Sequence, residues 1–222
     1  NINTYLTLFY QRGGTLYNDT ETASGLDTPE AIESMELYTM LYNQYGLPYQ
    51  FDFANRFRSG EMPVVITDYL SYNQLTVFAP EIKGLWGMLP VPGTVREDGT
   101  VSHAAPSTVT GAALMASAPD QKAGWEFLKW WTSAEIQSSY GRDLESVVGS
   151  AARYNTANQE ALNSVQWDYG IKQQIKAQAA EALAVPEAPG GYFTSRQFDF
   201  AFRNIAFYGD NTRTALEEAA QA

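Results

Sequence analysis

From Thr28 to Gly46, apolar and aromatic side chains return every three or four residues, at Ala31, Met35, Tyr38, Tyr42 and Tyr45. That spacing gathers them on one side of a helix, and some other element has to cover it. Asp27-Thr28-Pro29-Glu30 opens the helix with a capping hydroxyl and a proline suited to the first turn. A second kind of apolar run is brief and β-branched: Pro63-Val64-Val65-Ile66-Thr67 stands between breakers and reads as a buried strand. A chain carrying both patterns predicts a mixed α/β fold.

The same signals organise the rest of the chain. A helix is expected over 1–11, stopped at Gly13-Gly14, with a short strand at Leu16 and Tyr17. A short helix over 52–58 closes at Gly60, another spans 71–78, and 80–84 is a turn. Strands are expected over 85–91 and 110–117. Pro119-Asp120 opens an apolar helix through Trp131, with Leu114, Phe127, Leu128 and Trp131 as core candidates. Thr132 and Glu135 have capping-box spacing and start the next helix. Helices over 167–183 and 194–207 follow, then a turn at Gly209-Asp210 and a terminal helix ending near Ala219. Arg96-Glu97-Asp98-Gly99 is a polar turn without a functional signal of its own.

Composition narrows the chemistry. With 25 acidic against 14 basic residues, the formal charge is -11 and no basic stripe offsets it, which argues against nucleic acid as a partner. The absence of cysteine excludes thiolate chemistry and disulfides. A single histidine, His103, is too few for a histidine-built metal centre and reads as an ordinary exposed loop residue. No apolar run approaches the ~20 residues that span a bilayer. The sequence contains no G-x-S-x-G elbow and no phosphate-cradling glycine loop; Gly13-Gly14 and Gly190-Gly191 lack the spacing and a following lysine. Glu61 and Asp68 are the nearest approach to paired carboxylates, and the intervening run sets them at its opposite ends. Neither a metal nor a cofactor is implied.

Binding is better served. The 11 Phe, 5 Trp and 14 Tyr residues cluster among amides and hydroxyls, as in Asp68-Tyr69-Leu70-Ser71-Tyr72-Asn73 and Gly190-Gly191-Tyr192-Phe193-Thr194-Ser195-Arg196. Aromatic faces offer apolar contact while polar neighbours fix orientation, which suits an uncharged polyhydroxylated ligand such as a sugar. Tyr69, Tyr72 and Asn73 follow directly on a strand-like run, where ligands of α/β folds commonly lie. Tyr192, Phe193 and Arg196 stand at a loop-to-helix junction, and Arg196 carries a fork of donors for hydroxyls or a carboxylate. Arg153 is read more simply as one half of an internal ion pair.

The order of these motifs resembles a known family. Gly13-Gly14-Thr15-Leu16-Tyr17, the helix opening at Thr28-Pro29-Glu30-Ala31, Arg56-Phe57-Arg58-Ser59-Gly60-Glu61-Met62 and Ala79-Pro80-Glu81-Ile82-Lys83-Gly84-Leu85-Trp86 carry it. So do Leu89-Pro90-Val91-Pro92-Gly93, Ala123-Gly124-Trp125-Glu126-Phe127-Leu128-Lys129-Trp130-Trp131 and Pro189-Gly190-Gly191-Tyr192. Together they resemble the C-terminal part of an extracellular solute-binding protein of an ABC importer, of the maltose-binding-like class. The resemblance implies a type II periplasmic-binding-protein-like α/β fold, in which two lobes close around solute. It assigns 1–81 and 135–222 to the second lobe and 82–134 to a segment that normally crosses into the first. It also implies that the span is a fragment, with self-association a further expectation for a chain carrying an orphaned segment.

By the same resemblance, ligand contacts fall at Tyr69, Tyr72 and Asn73, at Tyr192, Phe193 and Arg196, and near the first helix at Asn1 and Asn3. The implied protein is non-catalytic, and its partners are a small solute, expected to be a saccharide, and the membrane permease subunits of the importer. It is expected outside the cell, or in the periplasm of a double-membrane bacterium, as a lipoprotein anchored through an N-terminal segment. Two other classes make distinct demands. A carbohydrate-active enzyme needs two carboxylates flanking a glycosidic bond. A protein-recognition module needs its aromatic clusters on a flat patch.

Overall fold

A computed structural model describes residues 2–222; Asn1 lies outside the described residues. Ten α-helices are described. The first five are α1 (Ile2–Gln11), α2 (Pro29–Asn43), α3 (Phe53–Arg58), α4 (Ser71–Phe78) and α5 (Gln121–Trp131), and the last five are α6 (Ala134–Val148), α7 (Gln159–Ser164), α8 (Tyr169–Ala179), α9 (Gly191–Arg203) and α10 (Thr212–Gln221). Four short strands accompany them: β1 (Thr94–Val95), β2 (Val101–Ser102), β3 (Ala105–Ser107) and β4 (Ala182–Ala184). β1 and β2 pair antiparallel, and β3 lies parallel to β4 in the register Ala105–Ala182, Pro106–Leu183, Ser107–Ala184. The chain divides into two compact units, one of residues 1–51, 90–108 and 176–222, the other of residues 52–89 and 109–175. These divisions fall at other places than the 81/82 and 134/135 boundaries that the resemblance suggests.

The first unit is built around α1. Tyr5, Leu6 and Phe9 are wholly buried there, together with Leu26, Ala31 and Met35 below α2. Tyr5 stacks on Phe9 at 5.6 Å between centroids and meets Phe198 of α9 at 4.7 Å. Tyr38 sits against Phe202 at 4.9 Å. The stripe on α2 is therefore buried as its spacing demands, except that Tyr45 lies past the helix end and faces solvent. Thr28 caps α2 through its side-chain oxygen, which accepts from the Ala31 N–H at 3.3 Å. Gly13 takes a φ of +86° just beyond α1, a conformation that glycine adopts at little cost.

A polar pin ties the β1–β2 hairpin to the end of α1. Gln11 donates through Nε2 to the Pro92 and Ala104 carbonyls at 2.9 and 3.3 Å, and accepts from Thr94 Oγ1 at 2.7 Å. Arg96, in the turn between the strands, donates to the Gln11 carbonyl at 3.0 Å. His103 is not the exposed loop residue that the sequence suggests: it is half-buried, its Nδ1 lies 2.8 Å from the Val91 carbonyl, and its backbone N–H donates to Glu181 at 2.8 Å. A loop histidine becomes half-buried here because Gln178 holds the segment at both ends, accepting from the Val91 N–H at 2.8 Å and donating to the His103 carbonyl at 2.9 Å.

In the second unit, side-chain oxygens of Asp52, Asp120, Ser133 and Asn158 cap α3, α5, α6 and α7. Ser133, one residue beyond Thr132, is thus the cap of α6; the Thr132 hydroxyl instead donates back to Leu128. Gln137 knits α6 to the loop that follows, accepting from Tyr154 and Thr156 at 2.9 and 3.0 Å and donating to the Trp131 carbonyl at 2.8 Å.

Three expected strands do not form. Residues 63–67, 85–91 and 110–117 lack a ladder partner among the described residues, and Val64 is 83% exposed. β-branched composition supplies only a preference; a strand exists once a neighbour takes up its backbone groups. The expected strand at Leu16 and Tyr17 is reduced to one bridge, Tyr17 to Ser24. α5 buries none of its residues, so Phe127, Leu128 and Trp131 are not core, and Leu114 is only half-buried, against Gly124. The helix expected over 167–183 stops at Ala179, because residues 182–184 pair with β3.

Candidate functional site

The Tyr-rich run of the second unit is shaped by a turn. Asp68 Oδ1 accepts from the Leu70 N–H at 3.0 Å, and the Thr67 and Ser71 hydroxyls are 2.9 Å apart. These contacts bend the chain into α4 and aim Tyr69 and Tyr72 at Trp167. The Tyr69 ring meets Trp167 at 5.7 Å and 66°, the Tyr72 ring at 5.8 Å and 54°. Tyr72 also lies 5.1 Å from Trp86. Beneath them, Leu162, Val165, Trp167 and Ile175 form the small core of the unit. Burial, with a lesser contribution from Asp68, pushes the Tyr69 hydroxyl up to about 12.

Asn73 is the unusual member. It is 3% exposed, yet neither its Oδ1 nor its Nδ2 meets a hydrogen-bonding partner. The indole N–H of Trp167 is likewise buried and unpartnered. Buried polar groups nearly always find partners, since leaving one unmade costs about 1–3 kcal/mol. Asn73→Leu, similar in volume and free of polar atoms, is therefore expected to raise the stability of the unit by about 1–2 kcal/mol. Thermal unfolding of the two proteins checks this, and an unchanged or lower midpoint would show that the amide is satisfied in solution.

The other sequence candidates lie in the first unit. Gly190, at φ +87°, turns the chain into α9 and leaves Tyr192 and Phe193 73% and 61% exposed. Their rings meet edge to face at 5.7 Å. Arg196, one turn on, is exposed and holds its guanidinium 5.3 Å from the Phe200 ring. Asn3 is exposed on the first turn of α1, and its carbonyl accepts from Thr7 Oγ1 at 2.9 Å. Asn1 falls outside the described residues. Tyr69, Tyr72 and Asn73 thus share one small region of the second unit, while Asn3, Tyr192, Phe193 and Arg196 belong to the first.

Sequence reading missed Trp86 and Trp167 as parts of the tyrosine cluster. Trp86 sits in a run that reads as strand, Trp167 at the start of an expected helix, and no spacing links either to position 69 or 72. Arg153 is in the ion pair expected of it: Nε and a terminal nitrogen grip Glu145, the shortest contact being 2.6 Å. Its guanidinium also lies over Trp167, 5.1 Å from the ring centroid.

The carboxylates have structural tasks. Glu61 pairs with Arg56 at 3.7 Å, and Asp68 holds the turn before α4. Among the described residues no three His, Asp or Glu side chains gather in a way that would hold a metal, and no helix is long and apolar enough to cross a membrane.

Comparisons with known proteins agree on the fold. The sugar-binding protein MalE of Xanthomonas citri superposes with a TM-score of 0.73 at 13% identity, over 100% of this chain and 54% of its own. A solute-binding protein of an ABC transporter from Thermotoga lettingae, solved with α-D-tagatose, gives 0.68 at 16% identity over 99% and 54%. A cyclo/maltodextrin-binding protein, solved with maltotetraose, gives 0.69 at 18% over 100% and 56%. The fold is thus periplasmic-binding-protein-like, and the chain spans about half the length of these structures. No curated protein sequence matches it. The model of the bacterial extracellular solute-binding protein family matches residues 1–138, and the chain belongs to that family.

Proposed function

We propose that this chain recognises a saccharide on behalf of an ABC importer, without catalysing a reaction. One observation carries the reading: Tyr69 and Tyr72, both only partly buried, stand around Trp167 at the start of α4. Aromatic faces are what the apolar side of a pyranose ring calls for, and Asn73, buried behind these rings, belongs to the proposal as a further contact. Two of the similar structures were solved with α-D-tagatose and maltotetraose, which supports the same class of ligand. The lobe assignment of 1–81, 82–134 and 135–222, solute held between lobes, Asn1, Asn3, Tyr192, Phe193 and Arg196 as further contacts, and a permease as partner belong to this proposal. So do an extracellular setting and a lipid anchor N-terminal to this span.

Calorimetric titration with maltotetraose and α-D-tagatose, against an amino-acid control, tests it. Saturable binding of either sugar is expected, with Tyr72→Ala weakening it about tenfold or more, the loss of one good aromatic contact. Sugars that give no heat while the control does would sink the saccharide assignment. The enzymatic alternative predicts that the sugar is cleaved during the titration; intact oligosaccharide recovered afterwards speaks against it.

A further inference from the structure

The orientation of Trp167 has no hydrogen bond behind it. A buried indole normally donates its N–H and is thereby held in one plane; here the N–H meets nothing. Around the ring, besides the apolar side chains of the small core, stand Tyr69, Tyr72 and the guanidinium of Arg153, all within 5.1–5.8 Å of its centroid. The tyrosine contacts are tilted or edge-on, and neither lies flat against the indole plane. Arg153 is different, because it is itself fixed. Its Nε contacts both oxygens of Glu145 at 3.2 Å and a terminal nitrogen reaches Oε1 at 2.6 Å, with the two side chains only 14% and 18% exposed. A guanidinium gripped along one edge presents its flat face in one direction, and a lysine ammonium has no such face.

The chain of contacts therefore runs from Glu145 on α6, through Arg153 in the loop before α7, to Trp167 before α8, and ends on Tyr69 and Tyr72. We infer that Arg153, locked by Glu145, is a positioning residue that sets the plane of Trp167 and through it the two tyrosine rings that receive the solute. This rests on the saccharide reading above for what the rings do, but not for how they are held. Local sequence makes the arrangement economical. Glu145 and Arg153 are eight residues apart, separated by the Gly149 turn at φ +92° that ends α6 and folds the arginine back over its helix. A second consequence follows for the solute. Because no hydrogen bond holds the indole N–H, loss of the Arg153 contact is expected to shift Trp167 and the tyrosine rings that pack on it.

The test uses the full chain labelled with 5-fluorotryptophan, the Trp167 resonance being assigned with Trp167→Phe. Arg153→Met keeps much of the stem and loses the charge and the fork; Arg153→Lys keeps the charge alone; Glu145→Gln weakens the lock. In the absence of sugar, Arg153→Met is expected to move or broaden the Trp167 fluorine signal, with a smaller shift at Trp86 through Tyr72, while Trp125 and Trp130 keep theirs. Arg153→Lys should move it nearly as far, and Glu145→Gln less. Maltotetraose affinity should fall about tenfold for Arg153→Met, without a matching loss for Glu217→Gln, a control that loosens the exposed Arg213 pair on α10 of the first unit. An unmoved Trp167 signal in Arg153→Met and Arg153→Lys overturns the positioning role. So does a displaced signal with wild-type affinity. If the signal moves but not even the wild-type chain binds maltotetraose or tagatose, the saccharide reading falls while the positioning of the aromatic group stands. Should Arg153→Met fail to fold, Arg153→Lys carries the same comparison.

Discussion

Tyr5→Ala is expected to destabilise the first unit by about 3–5 kcal/mol, the range for deleting a large ring from a packed core. Tyr5 is wholly buried and is the point at which three helices meet. Its ring contacts Phe9 on its own helix, Tyr38 on α2 at 6.4 Å and Phe198 on α9 at 4.7 Å. α9 is distant in sequence, so its place over α1 depends on contacts of this kind. The neighbours cannot collapse into the space without breaking their own ring geometry. Denaturant unfolding monitored by circular dichroism reads the loss. Tyr5→Phe isolates the hydroxyl, which donates to the Ala31 carbonyl over a long 3.4 Å, and should cost less than about 1.5 kcal/mol. An alanine variant that unfolds within about 1 kcal/mol of wild type would mean that the site fills itself, and the packing described for α1, α2 and α9 would be wrong.

Alkaline pH is expected to unfold the same unit early. Burial raises the hydroxyls of Tyr5, Tyr10 and Tyr38 above the ordinary tyrosine value. For Tyr38 the hydrogen bond from Tyr42 adds to burial, and for Tyr10 the neighbouring Tyr17 does. The sign follows from proton counting. In the unfolded chain these tyrosines lose their protons near about pH 10, whereas in the folded unit they hold them to higher pH. Between those limits the unfolded state binds fewer protons, so stability falls as pH rises, by about 1.4 kcal/mol per pH unit for each tyrosine concerned. Below about pH 10 the contribution is fully present. Three such groups acting together make the slope steep. Denaturation midpoints measured between about pH 8 and about pH 11 should be level at first and then drop sharply. A flat profile across that range would show that water reaches these hydroxyls in the folded state. The second unit has a gentler version of the same dependence through Tyr69, raised to about 12.

Much of this molecule was written in local chemistry. The starts of α2, α3, α5 and α7 follow from Thr28, Asp52, Asp120 and Asn158, each a short side chain accepting a backbone N–H within its own first turn. Glycines after α1 and α6 adopt the left-handed conformation that ends a helix cheaply. The buried stripe on α2 is equally local, since a period of 3.6 residues is visible without knowing what covers it. Even Tyr69, Tyr72 and Asn73 stand out as one run, and the order of motifs along the chain suffices for the family.

Strands and the site are another matter. Residues 63–67 have the composition of a buried strand and no ladder, while Ala182–Ala184 looks like the end of a helix and is strand because Ala105–Ser107 lies beside it. The difference is that a helix satisfies its backbone within one segment, whereas a strand depends on a second segment whose identity no local pattern contains. The same holds for function. Composition announces rings and amides, but that Trp167 lies between Tyr69 and Tyr72, that Arg153 covers its face, and that the Asn73 amide is left without a partner are facts of three-dimensional neighbourhood. What the sequence by itself determined is where most helices lie, though not the ends of the helices expected over 167–183 and 194–207, which are Tyr169–Ala179 and Gly191–Arg203, together with the apolar face of α2 and the family the chain resembles. Only the tertiary structure decided which aromatic rings meet, because contacts between segments far apart in the chain are set by how the whole fold closes.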